Sequence, residues 1–201
     1  MKKILAIWPH PDDIELGCFW TMCRYASEWD EVNFLVMTKW EWGTDKWNRV
    51  QEANQSAQLL NCKLFIEDLK DRYISEWQET IQVIERYIDK IKPDVVFIPS
   101  KNDTHQDHRS VYFASLVACR LIDRIYIYQS PSTSIEFKPN YYVDISKFIK
   151  TKIQAVRIHS SQWWKVYMAD RAIEWLAEYR AFDIFKNDKY FEAFELFRSI
   201  Q

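Results

Sequence analysis

In "KILAIWPHPDDIELGCFWTMCRYASEW", residues 3–29, a continuous apolar run stops at a proline, two aspartates follow, and a helical pattern begins. "KILAIW" reads as a strand buried on both faces, the mark of a parallel sheet rather than a half-wetted hairpin. Asp12 and Asp13 stand where a helix N-terminus takes its polar residues, and "LGCFWTMCRYASEW" continues as helix. Strand, short polar turn and helix in this order open a βαβ unit. The turn is richer than a connection needs. His10 lies between Pro9 and Pro11, and Glu15 and Gly17 follow closely.

The same alternation runs on down the chain. "VNFLVMT" (32–38) is a second buried strand, and Trp47, Val50, Ala53, Ala57 and Leu60 share one helical face. "KLFI" (63–66) is a third strand, and Ile74, Trp77, Ile81, Ile84, Tyr87 and Ile91 recur with the period of an amphipathic helix. "DVVFIP" (94–99) is a fourth, followed by the loop "SKNDTHQDH" and the apolar helix "SVYFASLVACRLI". "RIYIYQ" (124–129) is a fifth and "NYYVDIS" (140–146) a sixth, while the tail from Lys147 reads mainly as helix. The expected fold is α/β: a Rossmann-like doubly wound, mostly parallel sheet with helices on both faces and an aromatic-rich helical C-terminal segment. Residues 1–201 are expected to form one domain.

Composition narrows the function classes. With 27 Lys and Arg against 29 Asp and Glu, the formal charge is −2, which gives no electrostatic grip on nucleic acid. The N-terminal apolar run turns into aspartates before any cleavage-like site, and no stretch approaches the about 20 apolar residues of a membrane helix. A cytoplasmic location is the expectation. Cys18, Cys23, Cys62 and Cys119 match no zinc spacing and read as buried thiols. Ten Trp, eleven Tyr and twelve Phe exceed what a core of this size needs. They fit core plus a subunit interface, hence a homo-oligomer, or a flat ligand surface. Only Gly17 and Gly43 supply glycine, so their positions carry meaning.

In an open α/β sheet, ligands sit outside the carboxyl ends of the strands. "HPDD" follows the first strand and "DTHQDH" the fourth, which brings both to one edge. Three of the four histidines, His10, His105 and His108, fall in these loops beside aspartates. A lone His is usually structural and an Asp before a helix is usually a cap, but the convergence weakens both readings. Two imidazoles and one carboxylate make a ligand set with an open position, as catalytic zinc requires. Asp12 and Asp13 are adjacent, so one can bind metal while the other faces a water. One histidine of "HQDH" can close the metal site and the other can donate to a developing oxyanion or a leaving group.

"HPDDIELG" together with "HQDH" resembles the PIG-L/LmbE family of zinc-dependent N-deacetylases, whose motifs have the forms (P/A)HPDDxExG and HxDH. "TKWEWG" is similar to the family's T-x-G-E-x-G loop, "RVQEANQSAQLL" to its Arg/Glu-bearing helix, and "KPDVVFIPSKNDTHQDHRSV" to its fourth strand and metal loop. "FKPNYYVDISKFIKTKIQAVRIHSSQ" and "KYFEAFELF" resemble segments of bacterial members. The resemblance implies that His10, Asp13 and His108 ligate Zn2+ and that Asp12 is the general base. It makes a protonated His105 the electrostatic stabiliser or the acid, and Asp107 a residue that orients or tunes a histidine. Arg49 becomes a substrate contact, and Glu15 a supporting residue or helix-turn contact. The implied activity is removal of an N-acetyl or other acyl group from an amino sugar or its conjugate. The implied setting is bacterial glycan, sugar-nucleotide or thiol-sugar biosynthesis, with a small-molecule partner.

Departures from the pattern bear on substrate shape. Phe19 and Trp20 replace two small residues at a helix start, Trp40 stands where the loop's first Gly is usual, and Asn61 replaces a helix-ending Gly, which a left-handed cap tolerates. His159 reads as a capping or packing residue or as part of the cleft, and the Trp163–Trp164 pair as interface or core. The rival functions are a zinc amidase or esterase on a non-sugar substrate and a catalytically silent sugar- or metal-binding module. A dehydrogenase-like nucleotide site is disfavoured, because no Gly-rich phosphate loop follows the first strand.

Overall fold

The computed structural model describes residues 1–39 and 46–200, without the side chains of Lys46 and Trp47. Trp40, Gly43 and the "TKWEWG" loop beyond Lys39 therefore lie outside the described residues, as does the Trp47 side chain. In chain order the elements are β1 (Lys3–Trp8), α1 (Asp13–Gly17), α2 (Phe19–Ser27), β2 (Glu31–Val36), α3 (Lys46–Leu59), β3 (Lys63–Ile66) and α4 (Gln78–Ile91). They continue with β4 (Val95–Ile98), α5 (Gln106–Ala118), β5 (Arg124–Tyr128), β6 (Tyr141–Asp144), α6 (Ile149–Ile158), α7 (Asp170–Phe182) and β7 (Phe191–Ser199). Among these residues no helix is long and apolar enough to cross a membrane.

The strands form one seven-stranded sheet in the order β3-β2-β1-β4-β5-β7-β6. β1 pairs in parallel with β2 and β4, β2 with β3, and β4 with β5. The chain winds outward from β1 to β3, then returns to β4 on the other side of β1. That reversal between β1 and β4 opens a crevice at their carboxyl ends. The strands are apolar on both sides because both faces are covered. Ile4, Ala6, Trp8, Phe34, Phe97 and Phe194 pack on one face with residues of α1, α2, α6 and α7. Leu5, Ile7, Leu35, Val96, Ile98 and Ile127 pack on the other with Ile84 and Ile91 of α4 and Val111 and Ala114 of α5.

The tail from Lys147 is mainly helical, as α6 and α7, but it ends in a strand that the sequence pattern did not show: β7 is nine residues long and antiparallel to both β5 and β6. Phe191, Phe194 and Phe197 lie three apart and imitate a helical face, but the open edges of β5 and β6 supply backbone partners that a helix would leave unpaired. The helix after the first motif is broken, with α1 ending at Gly17 and α2 starting at Phe19. A Cβ at Gly17 would lie 2.3 Å from Trp8 Cη2 and 2.9 Å from Tyr128 Cδ2, and those two rings stack at 3.5 Å. Glycine is what lets this turn touch the sheet. Asn61 adopts φ 50° just past α3, so the left-handed cap is present.

Candidate metal and catalytic site

Both polar loops arrive at the β1/β4 crevice. Asp12 is the N-cap of α1 and Asp13 its first residue, while His105 caps α5 and puts Asp107 and His108 in its first turn. The Asp13 carboxylate turns back on the loop: its Oδ2 accepts from the His10 backbone N–H at 3.1 Å. The same oxygen lies 3.1 Å from His10 Nδ1 and 3.2 Å from His108 Nε2. His10, Asp13 and His108 are buried and could together hold a metal ion; His10, His105 and Asp107 form a second such group that shares His10. Ligand bonds of about 2.0–2.2 Å at tetrahedral angles put neighbouring ligand atoms roughly 3.3–3.6 Å apart, close to the spacing of the first set.

Each imidazole of that set is backed by carboxylate on its far nitrogen. His10 Nε2 lies 3.1 Å from Asp107 Oδ2 and 3.3 Å from Asp71 Oδ1. His108 Nδ1 lies 3.0 Å from Asp103 Oδ2. Asp107 Oδ2 also accepts from the Arg72 backbone N–H at 2.8 Å. Asp103 accepts from Ser130, from Ser132 Oγ at 2.6 Å, and from the His105 backbone N–H at 2.8 Å. Outer carboxylates of this kind fix ring orientation and raise ligand basicity.

The charges follow from this density of acids. Burial opposes a charged His108, but Asp13 and Asp103 outweigh it and push its pKa up to about 9. Burial likewise disfavours charge on His10, yet Asp107, Asp13 and Asp71 hold its pKa well above the ordinary value. The field that keeps two protons on these rings equally favours one dication in their place. The donor chemistry and the charge thus both fit a divalent metal.

Asp12 has the opposite surroundings. Its Oδ2 accepts from Arg49 Nη2 at 3.1 Å and lies 3.4 Å from Lys165 Nζ. Burial and Asp13 raise its pKa, but Arg49 and Lys165 lower it further, so the carboxylate stays ionised. At His105, burial, with the neighbouring charges of His10 and His108, lowers the pKa, and Nδ1 accepts from the Asp107 backbone N–H at 3.2 Å. In the neutral ring the proton therefore sits on Nε2.

A pocket of about 180 Å³ is lined by His10, Asp12, Asp13, His105, His108 and, from elsewhere in the chain, Lys165 and Tyr167. Arg49 is buried against Asp12 and is not among the lining residues, whereas Lys165 is. His159, at the C-terminus of α6, is buried, with Nε2 3.1 Å from Glu15 and Nδ1 3.8 Å from Glu52. It packs between helices rather than in the cleft. Trp163 and Trp164 are 78% and 68% exposed, so neither is core. Sequence reasoning missed Asp71, Asp103 and Lys165. Asp103 carried a signal, two residues before His105 in the metal loop; Asp71 and Lys165 stand in stretches that show no motif.

The fold and site define a class: a doubly wound α/β protein with a His/Asp metal-type site at its switch point. A PIG-L family profile, described as GlcNAc-PI de-N-acetylase, matches residues 5–119, and the chain belongs to that family. It is 35% identical over 169 residues to the uncharacterized deacetylase YaiS of Escherichia coli K12, covering 80% of this chain and 91% of that one. The diacetylchitobiose deacetylase of Thermococcus kodakarensis is 29% identical over 206 residues, covering 86% of this chain and 77% of the relative. In fold the chain resembles the 4-carboxy-2-hydroxymuconate hydratase GalB of Pseudomonas putida KT2440, with a TM-score of 0.87, 15% identity and coverage of 100% and 98%. Both of these relatives in sequence are deacetylases by name.

Proposed function

We propose that the chain is a zinc-dependent N-deacetylase, residues 1–201 acting as one domain, that hydrolyses the N-acetyl amide of an amino sugar or its conjugate. A cytoplasmic role in making a glycan, sugar nucleotide or thiol-sugar goes with this reading. One arrangement supports it: His10, Asp13 and His108 converge while the ionised Asp12 stands beside them in the same pocket. Zinc held by those three residues supplies polarisation of the acyl carbonyl and a water acidified to a pKa of roughly 7.

The chain's own groups handle the protons. Asp12 accepts a proton from the attacking water, whose oxygen bonds to the acyl carbon. Arg49 and Lys165 hold that carboxylate ionised and oriented toward the task. His105 presents Nε2–H to the developing oxyanion or to the leaving nitrogen. The C–N bond then breaks, acetate leaves, and the amine carries away the proton first taken by Asp12. Asp107 and Asp103 orient His10 and His108 from behind.

The test is release of acetate from N-acetylglucosamine and diacetylchitobiose by zinc-loaded protein, with simple acyl amides and esters as competitors. Asp12→Asn keeps about one zinc per chain and loses a factor of ~10² or more in turnover. His108→Ala loses the metal. Zinc bound without release from any acyl compound overturns the reading in favour of a silent binding module. Loss of metal in Asp12→Asn, with retention in Asp13→Asn, reverses the two aspartate roles.

A further inference from the structure

The catalytic pocket shares a wall with a larger compartment. A cavity of about 400 Å³ uses Leu16, Pro131 and Tyr167 in common with it. Its other walls are largely apolar and include Trp20 of α2, Val166, and Ile173, Trp175 and Leu176 of α7. Its charged members are spoken for. Lys152 Nζ donates to the Leu16 carbonyl at 2.9 Å and to Glu192 at 3.2 Å, and sits 3.9 Å from the Trp20 ring centroid. Arg180 donates to Asp183 and Gln129. A ligand there meets hydrocarbon and indole rather than open charge.

Size decides what such a space is for. The catalytic pocket, at 180 Å³, falls below the range of about 300–1,000 Å³ usual for whole ligands, whereas 400 Å³ lies inside it. The smaller space suits the reacting amide, and the remainder of the molecule must lie elsewhere. The larger one is also open at its rim, where Val166 and Trp175 are 85% and 62% exposed. The indole Nε1–H of the buried Trp20 has no acceptor among the described residues.

We propose that this compartment seats an alkyl or aryl group covalently joined to the acylated amine, so that the natural substrate is amphiphilic. The inference rests on the amide-hydrolase reading above. The apolar group has two sources, the acyl chain itself or a substituent at the far end of the sugar, and the two call for different probes. The first pair is the methyl and hexyl glycosides of N-acetylglucosamine. The second is methyl glucosaminide bearing an N-acetyl or an N-hexanoyl group.

Amine release by zinc-loaded protein gives kcat/KM for all four, and calorimetry on zinc-loaded Asp12→Asn gives affinity apart from turnover. A fully buried methylene is worth about fourfold, so a partly seated six-carbon chain yields roughly tenfold or more. Ala172→Trp, which fills the compartment from α7, erases that gain while leaving the short probes' rate and zinc content unchanged. The arm that gains identifies the source. No chain-length gain in either arm, or a gain that survives Ala172→Trp, overturns the proposal even if short probes are hydrolysed. Chain-length-dependent binding that Ala172→Trp removes, with no amine released from any probe, sustains the compartment and sinks the hydrolase.

Discussion

Asp12 and Asp13 are neighbours in sequence with opposite surroundings. Asp13 faces two imidazoles, and Asp12 faces a guanidinium and an ammonium. Adjacent residues at a helix start cannot point at one atom, so a ligand and a base can share a dipeptide without competing. The meeting of the two motifs was legible because their residues sit directly at two strand ends, where the topology rule places chemistry. The supporting charges of Asp71 and Lys165 were not, because these residues reach the site from segments without a motif, and Arg49, expected as a substrate contact, pairs with Asp12 only through packing. Asp103 shows how much the support matters, since its Oδ2 backs His108 Nδ1 while Ser130 and Ser132 hold it in turn. Asp103→Asn keeps the size and loses the charge. Metal affinity is expected to weaken by about 10- to 100-fold, measured by competition with a chelator, while the folded content by circular dichroism stays the same.

Between elements, two junctions decide whether α1 stays in place. At its end, Gly17 allows the turn to lie against Trp8 and Tyr128. Sequence reading could flag Gly17 as meaningful from glycine's scarcity, but the reason, a close approach of turn to ring, is invisible without the sheet. Gly17→Ala overpacks that contact and is expected to cost about 1–3 kcal/mol, read as a fall in urea midpoint without change in m-value. The second junction is His159, where α6 ends between Glu15 of α1 and Glu52 of α3. Burial disfavours its charge, but Glu15, Asp12 and Glu52 together raise its pKa above the ordinary value. A raised folded pKa gives stability that is full below about pH 6.5, the unfolded value, and is lost as pH climbs through the folded one. The stability gap between wild type and His159→Gln is therefore largest in mild acid and narrows toward alkaline pH. A gap that widens with pH reverses the assigned pairing.

Across the whole molecule, the fold carries less function than its likeness to a hydratase and to deacetylases alike would allow, and the β1/β4 crevice residues carry the rest. The five parallel strands were legible as continuous apolar runs. β7 was not, because its phenylalanines mimic a helical stripe and only the partners β5 and β6 decide against it. That strand does more than close an edge. Glu192 of β7 accepts from the Thr21 backbone N–H at 2.8 Å, from Thr21 Oγ1 at 2.7 Å and from the Trp20 N–H at 3.2 Å, at the start of α2. It also pairs with Lys152 of α6, and all these groups are buried. One carboxylate thus joins the two ends of the chain through the interior. Lys152→Met leaves Glu192 with its hydrogen bonds but without its counter-charge, and a loss of about 3–5 kcal/mol is expected. Adding Glu192→Gln removes the orphaned charge while keeping an acceptor for the α2 amides. The double variant is therefore expected to regain most of that loss, so the coupling read by double-mutant cycle is at least as large as the amount regained. Additive losses would mean that the two residues stabilise the molecule separately and that α2, α6 and β7 are not joined at this point.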